Sequence, residues 1–315
     1  MKHLDEILEN VNTVGISGHV RPDGDCVGST LAVYNYIRTY YPAVSVQLYL
    51  EPIPTIFQFL KNADRMKHER EDNQQFDLYI ALDCGDLNRL GDFADYFTNA
   101  KRTACIDHHI SNSSFADVNY IDPDASSTCE LLCRLMGEEK ITKEIAECLY
   151  TGMVHDTGVF QYTCTSRETM NLGGMLMEKG IDYTKIVDET FYQKTFAQNK
   201  ILGQALLNSR LYLDGQVNLS VISLAEMKQY DCLPKHLDGI VQQLRVTKGV
   251  RVAVFLYENE DHTYKVSTRA NDDTDLAALA LTFQGGGHKK AAGFSIDGPL
   301  DDAINRILEE LEKSF

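Results

Sequence analysis

The 315-residue sequence lacks a hydrophobic run that approaches the roughly 20 residues of a membrane-spanning helix. It also lacks an apolar signal region, because residues 1–6 already contain two acids and no hydrophobic stretch follows them. The sequence therefore predicts neither membrane insertion nor secretion. We expect a cytoplasmic protein with no membrane partner.

Disulfide spacing is also missing. The eight cysteines form no CxxC pair and no pattern typical of a disulfide framework. Cys129 and Cys133 lie four residues apart on a predicted helix and could share a metal ion. The more ordinary explanation for all eight is that they are small, buried, reduced thiols.

Positive charge is scarce. The chain has 30 basic and 46 acidic residues, for a formal net charge of −16. Proteins that bind long nucleic acids usually carry a basic surface, because their affinity comes from neutralising phosphates. We therefore expect either a short anionic substrate or local positive charge, from metal ions and arginine, that outweighs a repulsive background field.

The pattern of apolar residues predicts an α/β protein. In the first half, strands predicted over 13–19, 44–50, 77–83 and 103–107 alternate with helices, of which the first covers 27–40. This alternation is typical of a doubly wound, mainly parallel sheet covered on both faces. Further helices are predicted over 127–136, 142–154, 167–179 and 196–209.

The second half has a different pattern of predicted strands and helices. It combines strands over 217–223, 250–257 and 264–269 with helices over 236–245, 275–283 and 301–313. We predict a doubly wound catalytic domain over residues 1–194, a helical linker over 195–211 and a smaller α/β domain over 212–315.

Acidic and histidine residues follow three of the predicted strands and end one later helix: His19, Asp23 and Asp25 after the first strand, Asp83 after the third, Asp107, His108 and His109 after the fourth, and Asp156 on the helix. Each has an ordinary explanation by itself, since aspartates often cap helices and histidines often occupy loops. Ligands in open parallel sheets bind outside the carboxyl ends of the strands. Gathered at one such edge, these carboxylates would repel one another unless a cation bound between them.

Two divalent cations would satisfy this requirement. The carboxylates of Asp23, Asp25, Asp83 and Asp156 carry four negative charges, and His19 and His108 add neutral nitrogen ligands. Such a mixed set suits Mn²⁺, with Mg²⁺, Co²⁺ or Zn²⁺ as alternatives. Paired metals catalyse in-line displacement at phosphorus, because they activate water and neutralise phosphoryl oxygens.

These motifs resemble those of the DHH phosphoesterase superfamily. The resemblance rests on the order His-x₃-Asp-x-Asp, a strand-ending Asp, Asp-His-His and Asp-Thr-Gly, and it continues in the second half. There, Gly285, Gly286, Gly287 and His288 resemble the GGGH segment of the DHHA1 domain. Size and layout are similar to the bacterial nanoRNase and 3′-phosphoadenosine-5′-phosphate (pAp) phosphatase group. The resemblance implies a metal-dependent hydrolase acting on short oligonucleotides or pAp.

The resemblance also implies a role for each residue. His19 and Asp23 would hold one metal, Asp25, His108 and Asp156 the other, and Asp83 would bridge them. Asp107 would orient its neighbours, and His109 would contact the substrate phosphate or protonate the leaving oxygen. Arg269 and the glycine turn from Gly285 to His288 would hold a terminal phosphate or base.

Other functions stay open at this point. A cyclic- or linear-dinucleotide phosphodiesterase has the same layout. A pyrophosphatase or exopolyphosphatase of the superfamily usually has a different second domain, and a RecJ-like exonuclease has more chain and a less acidic surface. A non-catalytic nucleotide-binding regulator would have lost metal ligands, whereas all six are present. The oligomeric state is open, with a homodimer as one candidate.

Overall fold

The computed structural model describes residues 3–71 and 74–315, which divide into two units. The first unit ends at Gln193, and the second runs from Lys194 to Phe315. Each unit contains its own hydrophobic core. None of the helices in these described ranges has the length and apolar character needed to cross a membrane.

A parallel sheet forms the centre of the first unit. Its strands are β1 (Thr13–Ser17), β2 (Ser45–Tyr49), β3 (Leu78–Leu82), β4 (Thr103–Asp107) and β5 (Val118–Ile121). Their order is β2-β1-β3-β4-β5, and every neighbouring pair is parallel. The chain order therefore reverses between β1 and β3, which is where open α/β sheets bind ligands.

Helices cover both faces of this sheet, which confirms the predicted doubly wound fold. They are α1 (Asp5–Leu8), α2 (Gly24–Tyr40), α3 (Ala94–Thr98), α4 (Thr128–Met136), α5 (Lys143–Asp156), α6 (Arg167–Glu178) and α7 (Tyr183–Val187). Helices α2, α4 and α5 pack with the strands in one core, and α3 joins an aromatic cluster on the opposite face. Gly28 lets α2 approach α5 closely, because a Cβ atom there would lie 2.5 Å from the carbonyl oxygen of Cys148.

The second unit is built on a mixed sheet. Its strands are β6 (Arg210–Tyr212), β7 (Val217–Ile222), β8 (Val252–Glu258), β9 (Tyr264–Ala270), β10 (Gly286–His288) and β11 (Ala291–Ile296). Their order is β10-β11-β9-β8-β7-β6. The pair β7–β8 is parallel, and the other pairs are antiparallel.

The helices of the second unit are α8 (Phe196–Asn208), α9 (Leu224–Gln229), α10 (Ile240–Arg245), α11 (Leu276–Thr282) and α12 (Leu300–Glu312). Helices α11 and α12 pack on one face of the sheet, and α8, α9 and α10 pack on part of the other face. The glycine segment predicted as a turn contains strand β10, which pairs with β11. Glycine has a low strand propensity, so only this tertiary pairing makes the segment a strand.

Candidate metal centre

The first predicted ligands lie where β1 meets α2. Asp23 caps α2, because its side chain accepts hydrogen bonds from the backbone N–H groups of Asp25 and Cys26. The ordinary explanation of Asp23 as a helix cap is therefore correct. The same carboxylate oxygen also lies 3.6 Å from Nε2 of the buried His19. The cap thus fixes the carboxylate beside the histidine.

Asp83 lies between the two halves of the site. Its Oδ2 is 3.4 Å from Nε2 of His19, and its Oδ1 is 3.6 Å from Nε2 of His108. Its backbone is left-handed, with φ of 54°, a conformation that is uncommon for a residue with a side chain and often marks functional positions. A carboxylate whose two oxygens face two different histidines is suited to bridge two ions.

Asp25, His108 and Asp156 form the other group, with one potential ligand atom of each within 4.8 Å of the others. Nε2 of His108 lies 3.2 Å from Oδ2 of Asp156. Asp25 is fully buried, and its two oxygens accept hydrogen bonds from the backbone N–H groups of Thr128 and Cys129 at 2.7 and 3.0 Å. These N–H groups begin α4, where the helix dipole favours a negative charge.

The charges in this cluster leave an excess of negative potential. Burial and the carboxylates of Asp83 and Asp156 raise the pKa of Asp25 well above its usual range. Burial lowers the pKa of His19, but hydrogen bonds and charge from Asp23 and Asp83 outweigh it and raise the pKa to about 10. The neighbouring carboxylates raise the pKa of His108 to about 10 against the same effect of burial. Cations bound between the carboxylates would remove this repulsion, so the donor set fits divalent metal ions.

Cys26 also comes close to this group, since its sulfur lies within 4.8 Å of ligand atoms of His19 and Asp83. Burial and the charges of Asp83 and Asp23 raise the pKa of the Cys26 thiol well above its usual value. The thiol donates a hydrogen bond to the carbonyl oxygen of His19. Through this hydrogen bond, Cys26 supports the backbone at His19.

Asp107 and His109 form a separate pair beside the ligands. Nδ1 of His109 lies 2.7 Å from Oδ1 of the fully buried Asp107. The second oxygen of Asp107 accepts a hydrogen bond of 2.7 Å from Nδ2 of Asn112. The hydrogen bond that His109 donates to Asp107 raises the pKa of His109 against the effect of burial. An ionised carboxylate can only accept, so Nδ1 carries a proton and Nε2 is left for other contacts.

Two residues of this centre were not anticipated from the sequence. Thr128 supports Asp25 through its N–H group, and its hydroxyl donates to Oδ1 of Asp83 at 3.2 Å. The Ser127-x-x-Glu130 spacing is a helix-start signal that could have indicated free N–H groups here. Asn112 lies in a loop whose sequence carries no comparable signal.

The predicted substrate residues of the second unit lie on neighbouring strands. Arg269 on β9 and His288 on β10 both pair with Ala291 on the intervening β11. Directly paired residues point to the same face of a sheet, so Arg269 and His288 share a face and lie two strand spacings, roughly 10 Å, apart. Gly285 lies just before β10, and a Cβ atom there would be 2.4 Å from Gly293 and Phe294.

Comparison with known families covers both units. The DHH family, N-terminal domain, matches residues 13–153, and the DHHA1 domain matches residues 216–315. The first range contains all the predicted ligands except Asp156, and the second contains Arg269 and the Gly285–His288 segment.

Individual relatives match along nearly the whole chain. A bifunctional oligoribonuclease and PAP phosphatase NrnA of Thermus thermophilus is 28% identical over 322 residues, which cover 100% of this chain and 94% of the relative. The protein of the same name from Bacillus subtilis is 28% identical, over 96% of this chain and 94% of its own. A crystal structure of an exopolyphosphatase-related protein from Bacteroides fragilis aligns with a TM-score of 0.89 and 28% identity, over 98% of this chain and 94% of that one.

Proposed function

Because this chain belongs to the DHH/DHHA1 family, we propose that it is a metal-dependent phosphoesterase that hydrolyses short oligonucleotides and pAp. The observation that supports this most strongly is the position of Asp83, whose two oxygens face His19 and His108. Full-length relatives named for oligoribonuclease and PAP phosphatase activities support the choice of substrates.

The proposed ligands divide into two sets that share Asp83. His19 and Asp23 complete one set, and Asp25, His108 and Asp156 complete the other. When bound, a pair of divalent ions supplies a more acidic water and neutralises phosphoryl charge. Mn²⁺ suits this mixture of carboxylates and imidazoles better than Ca²⁺, which prefers oxygen ligands alone. EDTA should therefore inactivate the enzyme, and Mn²⁺ should restore activity better than Ca²⁺. Full activity after chelation would contradict metal dependence.

The Asp107–His109 pair is proposed to handle the proton of the leaving group. Asp107 and Asn112 hold the imidazole in one orientation, with Nδ1 directed at the carboxylate. Nε2 of His109 is then available to contact the substrate phosphate or to protonate the leaving oxygen. The partial exposure of His109 is compatible with such contact.

Arg269 and the Gly285–His288 segment are proposed to bind a terminal phosphate or a base of the substrate. An arginine binds phosphate in a bidentate manner, and glycine allows backbone N–H groups to approach it. Because the chain carries a net charge of −16, phosphates beyond these contacts would meet a repulsive field. The proposed partners are therefore short oligonucleotides and small nucleotides, not long nucleic acids.

Two further points concern the state of the protein in the cell. A cytoplasmic location agrees with the eight free thiols, because reducing compartments keep cysteines unpaired. The oligomeric state is open, with a homodimer as one candidate, and sedimentation equilibrium would test it.

A turnover assay with Mn²⁺ tests the proposed function. The panel contains pAp, the dinucleotide pApA, cyclic di-AMP, RNAs of five and thirty nucleotides, and bis-p-nitrophenyl phosphate as a generic phosphodiester. We expect hydrolysis of pAp and of the short linear substrates, with turnover falling as RNA grows from two nucleotides to beyond about ten. Equal turnover of two- and thirty-nucleotide RNA would contradict the short-substrate proposal. A marked preference for cyclic di-AMP would indicate a cyclic-dinucleotide phosphodiesterase instead.

A further inference from the structure

The second unit leaves half of one sheet face uncovered. On this face, helices α8, α9 and α10 pack against β7 and β8, as the buried Phe255 illustrates. Along β9, burial alternates, with Val266, Thr268 and Ala270 buried and the residues between them partly or fully exposed. Lys265 is exposed, and Ser267 and Arg269 are partly exposed. The part of the sheet formed by β9, β11 and β10 therefore presents an open polar surface.

The neighbours of these side chains are small. Ser267 pairs with Gly293 on β11, which in turn pairs with Gly286 on β10. Lys265 pairs with Ser295. A Cβ atom on Gly286 would have no neighbour within 4 Å, and Gly286 has no positive φ. Neither packing nor backbone conformation requires a glycine at this position. A glycine there keeps the surface flat, so that a ligand can approach the backbone closely.

A groove borders the far end of this surface. It has a volume of about 650 Å³ and is lined in part by Lys265, Arg306, Gly286 and Phe283. Strand β10 pairs only with 291–293, so no strand of the described residues covers the edge of β11 beside Ser295. A volume of this size lies in the range of clefts that hold small ligands, about 300–1,000 Å³.

Two cations line the groove from different sides of the sheet, Lys265 from the open face and Arg306 from α12, which packs on the opposite face. The guanidinium of Arg306 lies 5.7 Å from the ring centre of Phe283, which itself stacks on the buried Phe294. Its partner Asp297 is 3.8 Å away, at the limit of an ion pair. Lys265 forms no ion pair with any carboxylate in the part of the chain that the structure describes. The Asp297 carboxylate also lines the groove, together with hydroxyl groups and exposed glycine backbone, but the two cations outnumber this one carboxylate, which suits a phosphate.

We propose that Lys265 and Arg306 form a second anion subsite at the free edge of β11, which binds a phosphate of a short oligonucleotide that Arg269 and His288 hold at the other end of the open face. Lys265 lies four residues from Arg269 along β9, a span of about 13 Å. This span exceeds a single nucleotide unit, so a substrate needs at least three nucleotides to contact both ends. The inference rests on the proposed function and adds to it a preference by length.

The test compares wild type with the Lys265→Ala/Arg306→Ala double variant on pApA and on a five-nucleotide RNA. For the pentanucleotide, kcat/KM should fall about 10- to 100-fold, as expected for lost hydrogen bonds to a charged group. For pApA and bis-p-nitrophenyl phosphate it should change less than about 2-fold, because neither reaches the groove. Lys248→Ala removes an exposed lysine of the same unit that does not line the groove, and it should behave like wild type.

Salt dependence provides a measurement that a purely structural role would not change. The slope of log KM against log salt for the pentanucleotide should decrease by about 0.7 in the double variant, because one phosphate contact is lost. An unchanged pentanucleotide KM and slope would overturn the proposal, as would an equal loss on all three substrates.

A binding experiment separates this proposal from the proposed function. Fluorescence anisotropy of a labelled pentanucleotide in EDTA measures the affinity of binding in the absence of hydrolysis. If wild type binds the pentanucleotide and the double variant binds it at least 10-fold more weakly, the subsite holds even if no nucleotide is hydrolysed. If wild type hydrolyses short RNA but both proteins bind it equally, the subsite is wrong and the proposed function stands.

Discussion

The two units differ sharply in charge. Residues 1–193 contain 30 acidic and 16 basic residues, whereas residues 194–315 contain 16 acidic and 14 basic residues. Nearly all of the net negative charge therefore belongs to the unit that carries the proposed metal ligands. By itself, such a unit repels a phosphate substrate, and only bound cations would make it attractive.

This difference in charge agrees with two separate tasks, metal binding in the first unit and phosphate binding in the second. In the first unit, carboxylates gather at the strand ends, where bound metal ions would offset their mutual repulsion. In the second unit, basic side chains lie on an exposed sheet face and can attract phosphate without a metal. The comparison predicts that substitutions in the first unit lower kcat on every substrate, and that substitutions on the face of the second unit raise KM selectively.

Asp83→Ala should produce the largest effect. Both proposed metal sets lose their shared ligand, so several kcal/mol of transition-state stabilisation disappear and kcat falls about 1,000-fold or more on all substrates. Turnover of bis-p-nitrophenyl phosphate and pAp would be measured together with circular dichroism. Asp92→Ala removes an exposed aspartate of the same unit as a control. Near wild-type activity in a folded Asp83→Ala protein would refute the bridging role.

Metal binding should stabilise the first unit alone. At about 100 times the dissociation constant, Mn²⁺ contributes about 2.7 kcal/mol to the stability of the unit that binds it. For a unit of this size, we expect its unfolding temperature to rise by about 5–10 °C. Hydrogen exchange should show protection near the ends of β1, β3 and β4. Equal protection of β9 and β11 by Mn²⁺ would contradict the division of tasks between the units.

Arg269→Ala should raise KM for pAp and pApA about 10- to 100-fold, because one charge-assisted contact with phosphate is lost. The effect on bis-p-nitrophenyl phosphate should be small, since this substrate has no terminal phosphate. Steady-state kinetics on the three substrates measures the difference, and Arg269→Lys should recover part of the affinity but not the bidentate geometry. A uniform defect on every substrate would assign Arg269 to folding or chemistry instead.

Asn112→Ala should have the smallest effect of the four. The substitution removes a hydrogen bond to Asp107 but leaves the pair with His109 in place. Loss of such a supporting contact should lower kcat about 10-fold with little change in KM. Asn88→Ala, at an exposed position in the short 3₁₀ helix that follows β3, is the matched control. If both substitutions left kcat unchanged, Asn112 would have no part in positioning Asp107.

The first unit was largely predictable, because its ligands follow strands whose apolar runs are unambiguous. Parallel strands place their carboxyl ends at one edge, so sequence position alone predicted that Asp25, Asp83 and His108 meet. The backbone N–H groups that hold Asp25, and the loop residue Asn112, were not predictable in the same way. Their positions depend on how α4 and the loop after β4 pack, and no local pattern encodes that.

The second unit shows the opposite balance. Its glycines and arginine were recognised from a motif, but the strand formed by Gly286–His288 was not, since glycine-rich sequence favours turns. The row of polar side chains on β9 was equally unpredictable as a binding surface, because Lys265 alternates with Val266 as in any half-buried strand. Which half of a sheet face stays open depends on where α8 and α10 pack, hence on contacts between distant parts of the chain.

The sequence by itself determined most of the helices, the strands that carry the proposed ligands, and the chemistry of this protein. Apolar periodicity is local, so it specifies strands, helices and the loops between them, and it puts acids and histidines at strand ends. Tertiary structure alone decided that Asp83 turns one oxygen to His19 and the other to His108, and that Lys265 and Arg306 reach the same groove. Distances between residues far apart in the chain are set by packing, and packing is a property of the whole fold.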